Sequence, residues 1–237
     1  MGIRMDKLNE LQQKLEIFQK RKIQMISRQD IQKADFDIPK QWKDLLSNTE
    51  MHVSEVIKYL WTPIINEAKD VVNVLTTRVA DLAIVCDPRK VLPVELCYIF
   101  QTTSIRFNQT YLSAWVAGQP CTKEQIQLYK KSAGIELREV YKEFCRIHNG
   151  FLLDGNSSIG FLPVENFEII VKNKSQKKLL GFCGDGLGNY RCFDLETTID
   201  SRNADTIDWD HESQEIRVRN NFWDFAHTFI ATNTKTG

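Results

Sequence analysis

Gly118-Gln119-Pro120 is the strongest break in the chain, and it separates two textures that cannot belong to one repeating element. Glycine and proline together end regular structure, one by freeing φ and the other by fixing it. Upstream, apolar residues recur mostly at helical steps. Downstream, two helical stretches give way to short apolar runs divided by Gly, Asn and Asp. The reading is a mostly α-helical N-terminal region, 1–119, and a second unit, 120–237, of α+β class. The N-terminal region can be an independent piece or an extension packed on the second unit. The sheet of that second unit is expected to be mainly antiparallel and flanked by helices.

In the first region Leu8, Leu11, Leu15 and Phe18 fall on one stripe, which predicts an amphipathic helix packed on its own domain. A short coiled coil and a membrane-surface helix are the alternatives weighed against that. Asp37-Ile38-Pro39 looks like a helix start. Trp42, Leu45 and Leu46, then Val53, Val56, Ile57, Leu60 and Trp61, give further apolar faces, with a kink due at Pro63. Ile64, Ala68, Val71, Val72, Leu75, Val79 and Leu82 continue a helical period towards Asp87-Pro88. Val94 to Trp115 is apolar and aromatic throughout, and its pattern fits helix and strand equally.

In the second region Thr122 and Gln125 form a capping-box pair, and Gly134 sits where a helix would stop. A second helix carries Leu137, Val140, Tyr141, Phe144 and Ile147 on one face and ends at Asn149-Gly150. Residues 150–153 and 159–162 flank Asp154-Gly155-Asn156 as a hairpin. Strands are expected over 179–183, 190–193, 206–210 and 215–218. Asn220 or Asn221 would cap a last helix with Phe222, Phe225, Ala226 and Phe229 inward.

Composition limits the function. Lys plus Arg and Asp plus Glu both number 31 in 237 residues, so the chain lacks the basic excess of a nucleic-acid coating protein. Charge is instead local: residues 1–33 hold eight basic and four acidic side chains, whereas 194–215 hold eight acidic ones and only Arg202. The polar start is not a secretory h-region, and Asp6 stands where a myristoylation pattern beginning at Gly2 needs Ser or Thr. No apolar run is long enough to span a bilayer. The six cysteines show no C-x-x-C spacing. A cytoplasmic protein with reduced thiols is expected.

Motif tests are mostly negative. Gly184 to Gly188 is G-x-G-x-G with no following Lys-Ser/Thr, so it reads as a turn rather than a phosphate loop. Asp208, Asp210 and Glu212 would share one face of a strand, where three crowded carboxylates could attract a cation; a surface patch is the preferred reading. Cys145 and His148 have half of a zinc-site spacing and read as a core cysteine and a helix-terminal histidine. No cofactor and no metal are expected.

An ordered set of residues carries a family likeness: Tyr141-Lys142-Glu143-Phe144, His148-Asn149-Gly150-Phe151, Gly160-Phe161-Leu162-Pro163, Gly184 to Tyr190, Phe193-Asp194-Leu195, Asp208-Trp209-Asp210-His211-Glu212 and Phe222-Trp223-Asp224-Phe225. Over roughly 120–232 this resembles the SUKH superfamily, which includes SMI/KNR-type cell-wall regulators and many bacterial immunity proteins. Glu136-Leu137-Arg138 departs from it, because the family often has a Leu-Pro pair there. The resemblance implies a non-catalytic binding module, with Trp209 in the core and the acids at the surface. It also implies an immunity protein (antitoxin) that occludes a cognate toxin, such as a nuclease whose phosphate-binding face is basic. Asp185, Asn189, Asp208, Asp210 and Glu212 are the candidate partner contacts, with no direct binding of nucleic acid or membrane. A regulatory scaffold using the basic first helix is the second reading, and a hydrolase using His148 or His211 the third.

Overall fold

The computed structural model describes residues 3, 5–104, 109–171, 178–196 and 205–234. Within them α1 (Met5–Gln19) and β1 (Gln24–Ser27) are followed by α2 (Lys40–Leu46), α3 (Val53–Trp61) and α4 (Lys69–Arg78). Strands β2 (Val79–Cys86), β3 (Glu95–Ser104) and β4 (Gln109–Ala117) come next. Then come α5 (Lys123–Ala133), α6 (Glu139–Cys145), β5 (Phe151–Leu153), β6 (Ile159–Phe161), β7 (Glu168–Val171), β8 (Lys178–Asp185), β9 (Tyr190–Asp194), β10 (Asp205–Trp209), β11 (Ile216–Asn221) and α7 (Phe222–Asn233). All the described strands join one antiparallel sheet, with β7 on the side of β8. The protein is α+β.

Local chemistry explains the helix starts. The His52 side chain accepts from the Ser54 amide, and Glu55 reaches back to the His52 amide, opening α3. Thr122 and Gln125 close the expected reciprocal box on α5, and Gly134 ends that helix at φ +67°. Asn221 caps α7 by accepting from the Asp224 amide at 2.9 Å. Pro63 breaks the chain as expected, starting a single 3₁₀ turn after α3.

Two readings need correction. Val79 and Leu82 do not prolong a helix: α4 ends at Arg78, and both residues lie on β2. The ambiguous run from Val94 to Trp115 lies largely on β3 and β4, paired from Leu96↔Ala117 to Ser104↔Gln109. Its pattern is unreadable because β3 is covered on both sides. Cys97 and Ile99 face Leu8, Leu11 and Leu15 of α1. Leu96, Tyr98 and Phe100 face the larger core, which holds Trp42, Trp61, Tyr141, Phe144 and Phe222. Phe18, counted on the stripe of α1, is exposed.

The segment at Gly118 is packed rather than free. β4 pairs with β5, so the sheet runs across the break. The Asn149 amide donates to the Gln119 carbonyl at 3.2 Å, and the Cys121 amide to the Cys145 carbonyl at 2.8 Å. A Cβ on Gly118 would lie 2.3 Å from the Asn149 carbonyl oxygen. Gly118→Ala must therefore push two backbones apart, and thermal unfolding should show it as a Tm lower by roughly 5–10 °C.

Candidate functional site

The first requirement of the site is a tight turn between β8 and β9. Asp185 makes it: one carboxylate oxygen accepts from the Leu187 amide at 2.7 Å and the Asn189 amide at 3.2 Å, while the other accepts from Asn189 Nδ2 at 2.7 Å. Gly186 and Gly188 stand at φ +82° and +96°, values L side chains rarely adopt. Asn189 then turns outward, and its Oδ1 accepts from the His211 amide at 3.1 Å. That bond ties the glycine turn to the β10–β11 hairpin.

The hairpin supplies the charge. Asp208 stands opposite Arg191 on β9 and opposite Arg217 on β11. Its Oδ1 lies 3.0 Å from Arg191 Nη2. Arg191 in turn covers the Phe225 ring of α7, 4.2 Å from its centroid. β10 stops at Trp209, so the expected shared strand face of Asp208, Asp210 and Glu212 does not exist. Asp210 instead folds the turn after the strand, accepting through Oδ1 from the Glu212 amide, the Ser213 amide and the Ser213 hydroxyl at 2.8–3.1 Å. The Ser213 groups hold its carboxyl below the usual range, so it is ionised at neutral pH.

These side chains surround one open cleft of about 350 Å³ between β9–β11 and α7. Asp185, Asn189, Asp208 and Asp210 all line it, so four of the five candidates come together. Glu212 does not; it is exposed at the tip of the hairpin turn. Sequence reasoning missed Arg191, Glu215, Arg217, Phe225 and Phe229 as parts of the same surface. The alternation of Glu215-Ile216-Arg217-Val218 was the available signal, since it places Glu215 and Arg217 on one face. Glu215 pairs with Arg217 at 2.7 Å.

Three further expectations are settled by position. Trp209 is half-buried rather than a centre of the main core. It stacks on Tyr190, ring centroids 6.2 Å apart, over a smaller cluster with Ile170, Leu179, Cys192 and Ile207. The acidic stretch is not one solvated face. Asp194 is buried, and its carbonyl accepts from Arg138; residues 197–204 of the stretch lie outside those described. Arg138 sits at the departure from the Leu-Pro pattern and there joins the start of α6 to the end of β9.

The histidines and cysteines are also placed. His148 is fully buried, its Nε2 2.7 Å from the Tyr98 hydroxyl, which also accepts from Trp61 Nε1 at 3.1 Å. Tyr98 must donate to His148, because the indole can only donate. Burial pushes the imidazole pKa down to about 3, against a partial opposing effect of the Gly118 backbone. Cys145 is a buried free thiol. His211 is exposed, its Nδ1 3.1 Å from Asn189 Oδ1. Among the described residues no three metal-ligating side chains gather, and no helix is long and apolar enough to cross a membrane.

Two helices, a hairpin, a run of antiparallel strands and a closing helix define residues 120–233 as one α+β arrangement with its cleft against α7. Residues 120–227 match the model of the SMI1 / KNR4 family (SUKH-1), which supports the SUKH superfamily for that span of the chain. No curated protein and no solved structure matches the chain.

Proposed function

We propose that the chain is a non-catalytic binding module that docks a basic protein partner in the cleft between β9–β11 and α7. The first reading of that partner is a toxin that the chain neutralises by covering its substrate face. One observation carries this: among the described residues around a single concave surface, the carboxylates of Asp185, Asp208, Asp210 and Glu215 face only two guanidinium groups, Arg191 and Arg217. The excess of negative charge attracts a cationic face and speeds encounter. The aromatic rings of Phe225 and Phe229 supply the apolar floor that a desolvated contact needs.

The partner is found by capture from the native cells with the full chain as bait, followed by reconstitution with the purified candidate. The test variant is the double substitution Asp208→Asn and Asp210→Asn. Both amides keep an oxygen for the existing bonds, so the hairpin should survive and circular dichroism should be unchanged. Loss of two charges should slow association and weaken binding about tenfold or more at low salt, with a shallower salt dependence. Equal affinity in the folded double variant would place the interface elsewhere.

A regulatory scaffold is the second reading. Its supporting observation is the exposed basic pair Lys20 and Lys22, just beyond α1 and in a different part of the sequence from the cleft residues.

A further inference from the structure

We infer that Cys121 and Cys145 form a reversible disulfide that clamps α5 onto α6. Cys121 stands immediately before Thr122, the cap of α5, and Cys145 is the last residue of α6. The Cys121 amide donates to the Cys145 carbonyl at 2.8 Å. Standard bond lengths then hold the two Cα atoms within about 6.7 Å, inside the range a disulfide spans. Beyond burial, Cys121 also raises the pKa of the Cys145 thiol, as a neighbouring thiol does.

Other nearby cysteines are not so placed. Cys86 and Cys97 belong to different cores on opposite faces of the sheet, and so do Cys183 and Cys192. Access differs too. Cys145 is fully buried, whereas Cys121 is half-buried and lines a groove of about 570 Å³ beside Tyr129 and Phe167. Burial also raises the Cys145 thiol pKa well above its ordinary value. Cys121 is therefore the thiol that meets an oxidant, and Cys145 the one that resolves it.

The oxidant class is a peroxide. The Cys121 thiolate attacks one peroxide oxygen; an S–O bond forms, the O–O bond breaks and hydroxide leaves, giving a sulfenic acid. Cys145 loses its proton and attacks that sulfur; the S–S bond forms, the S–O bond breaks and hydroxide leaves. Two thiols lose two electrons, and hydrogen peroxide becomes two waters.

The consequence falls on α5. That helix has no fully buried residue, while α6 buries Val140, Tyr141, Phe144 and Cys145. Elements held so lightly open first. A covalent tie from the cap of α5 to the core helix should close that mode.

The test uses the full chain with hydrogen peroxide in modest excess, quenched by alkylation and mapped by mass spectrometry. Two of the six thiols should disappear into one linked peptide joining Cys121 to Cys145, restored by dithiothreitol. Amide exchange across 123–133 should slow about tenfold or more on oxidation. Cys121→Ser, at a half-buried position, should abolish both effects; Cys145→Ala gives a second, independent check. Links to other cysteines, or over-oxidation of Cys121 without a link, would overturn the disulfide. A link that leaves exchange in α5 unchanged would overturn the clamp.

Discussion

Between pH 7 and pH 5 the full chain is expected to lose about 2 kcal/mol of unfolding free energy through His148 alone, as read from urea midpoints. The sign follows from burial. In the folded protein the imidazole sits among Trp42, Trp61, Tyr98 and Phe151, ring centroids 5.5–6.2 Å away, and its pKa is pushed down to about 3. In the unfolded chain it titrates near its ordinary 6.5. Between those two values the unfolded state holds a proton that the folded state refuses. Stability is complete above about pH 6.5 and falls as pH drops towards 3, by roughly 5 kcal/mol in all. That is comparable to the whole stability of many domains.

His148→Phe separates this group from the carboxylates, which also titrate in acid. The ring can keep its stack on Phe151, but Tyr98 loses its acceptor. The variant should be less stable by about 2 kcal/mol at pH 7. Its further loss between pH 7 and pH 5 should be smaller than that of the natural chain by the 2 kcal/mol assigned to the imidazole. Parallel pH profiles for the two proteins would show that the folded His148 takes up its proton as readily as the unfolded chain does, and that burial does not depress its pKa. The bond also couples distant parts of the chain: Trp61 belongs to α3, Tyr98 to β3, and His148 comes just after α6.

Which of these features could be read beforehand depends on how far apart the interacting residues lie. The cap of α5 is fixed by Thr122, Gln125 and Gly134, all within one segment, and its start and end were legible. The glycine turn at 184–189 was legible for the same reason, because Asp185 satisfies its own neighbours. The β3 strand was not, since burial on both faces removes the alternation that identifies a strand. Val79 and Leu82 fit a helical step by spacing alone, and only sheet pairing with Phe100 and Tyr98 shows otherwise. The cleft was half legible. Its carboxylates cluster in sequence, but Arg191 and Arg217 reach Asp208 through the register of three strands, which local patterning does not encode. The partnership of Tyr98 with His148 spans fifty residues and was invisible for that reason.

Removing α1 should unfold or aggregate the protein rather than merely detach a recruiting arm. Leu8, Leu11 and Leu15 are buried against Ala83, Val85, Cys97, Ile99, Ala114 and Val116, so this helix is the cover of a second core. Re-exposing three leucines costs about 6 kcal/mol before the opened sheet face is counted, within the range of a typical total stability. Leu15, fully buried, allows a sharper version. Leu15→Asp places a carboxylate there without a partner and should cost roughly 4 kcal/mol, seen as a lowered urea midpoint and early elution on size exclusion. Near-native stability in Leu15→Asp would mean that α1 is not seated on β2–β4. The same packing decides how a scaffold is distinguished from an immunity module. A deletion confounds lost binding with lost folding, whereas Lys20→Gln with Lys22→Gln removes only exposed charge. Lys22 pairs with Glu16 at 3.0 Å on the surface, a contact of little energetic weight. That variant should stay within about 0.5 kcal/mol of the natural chain. If it loses a captured partner while Asp208→Asn with Asp210→Asn does not, the basic pair just beyond α1 is the recruiting surface; the reverse pattern assigns the partner to the cleft.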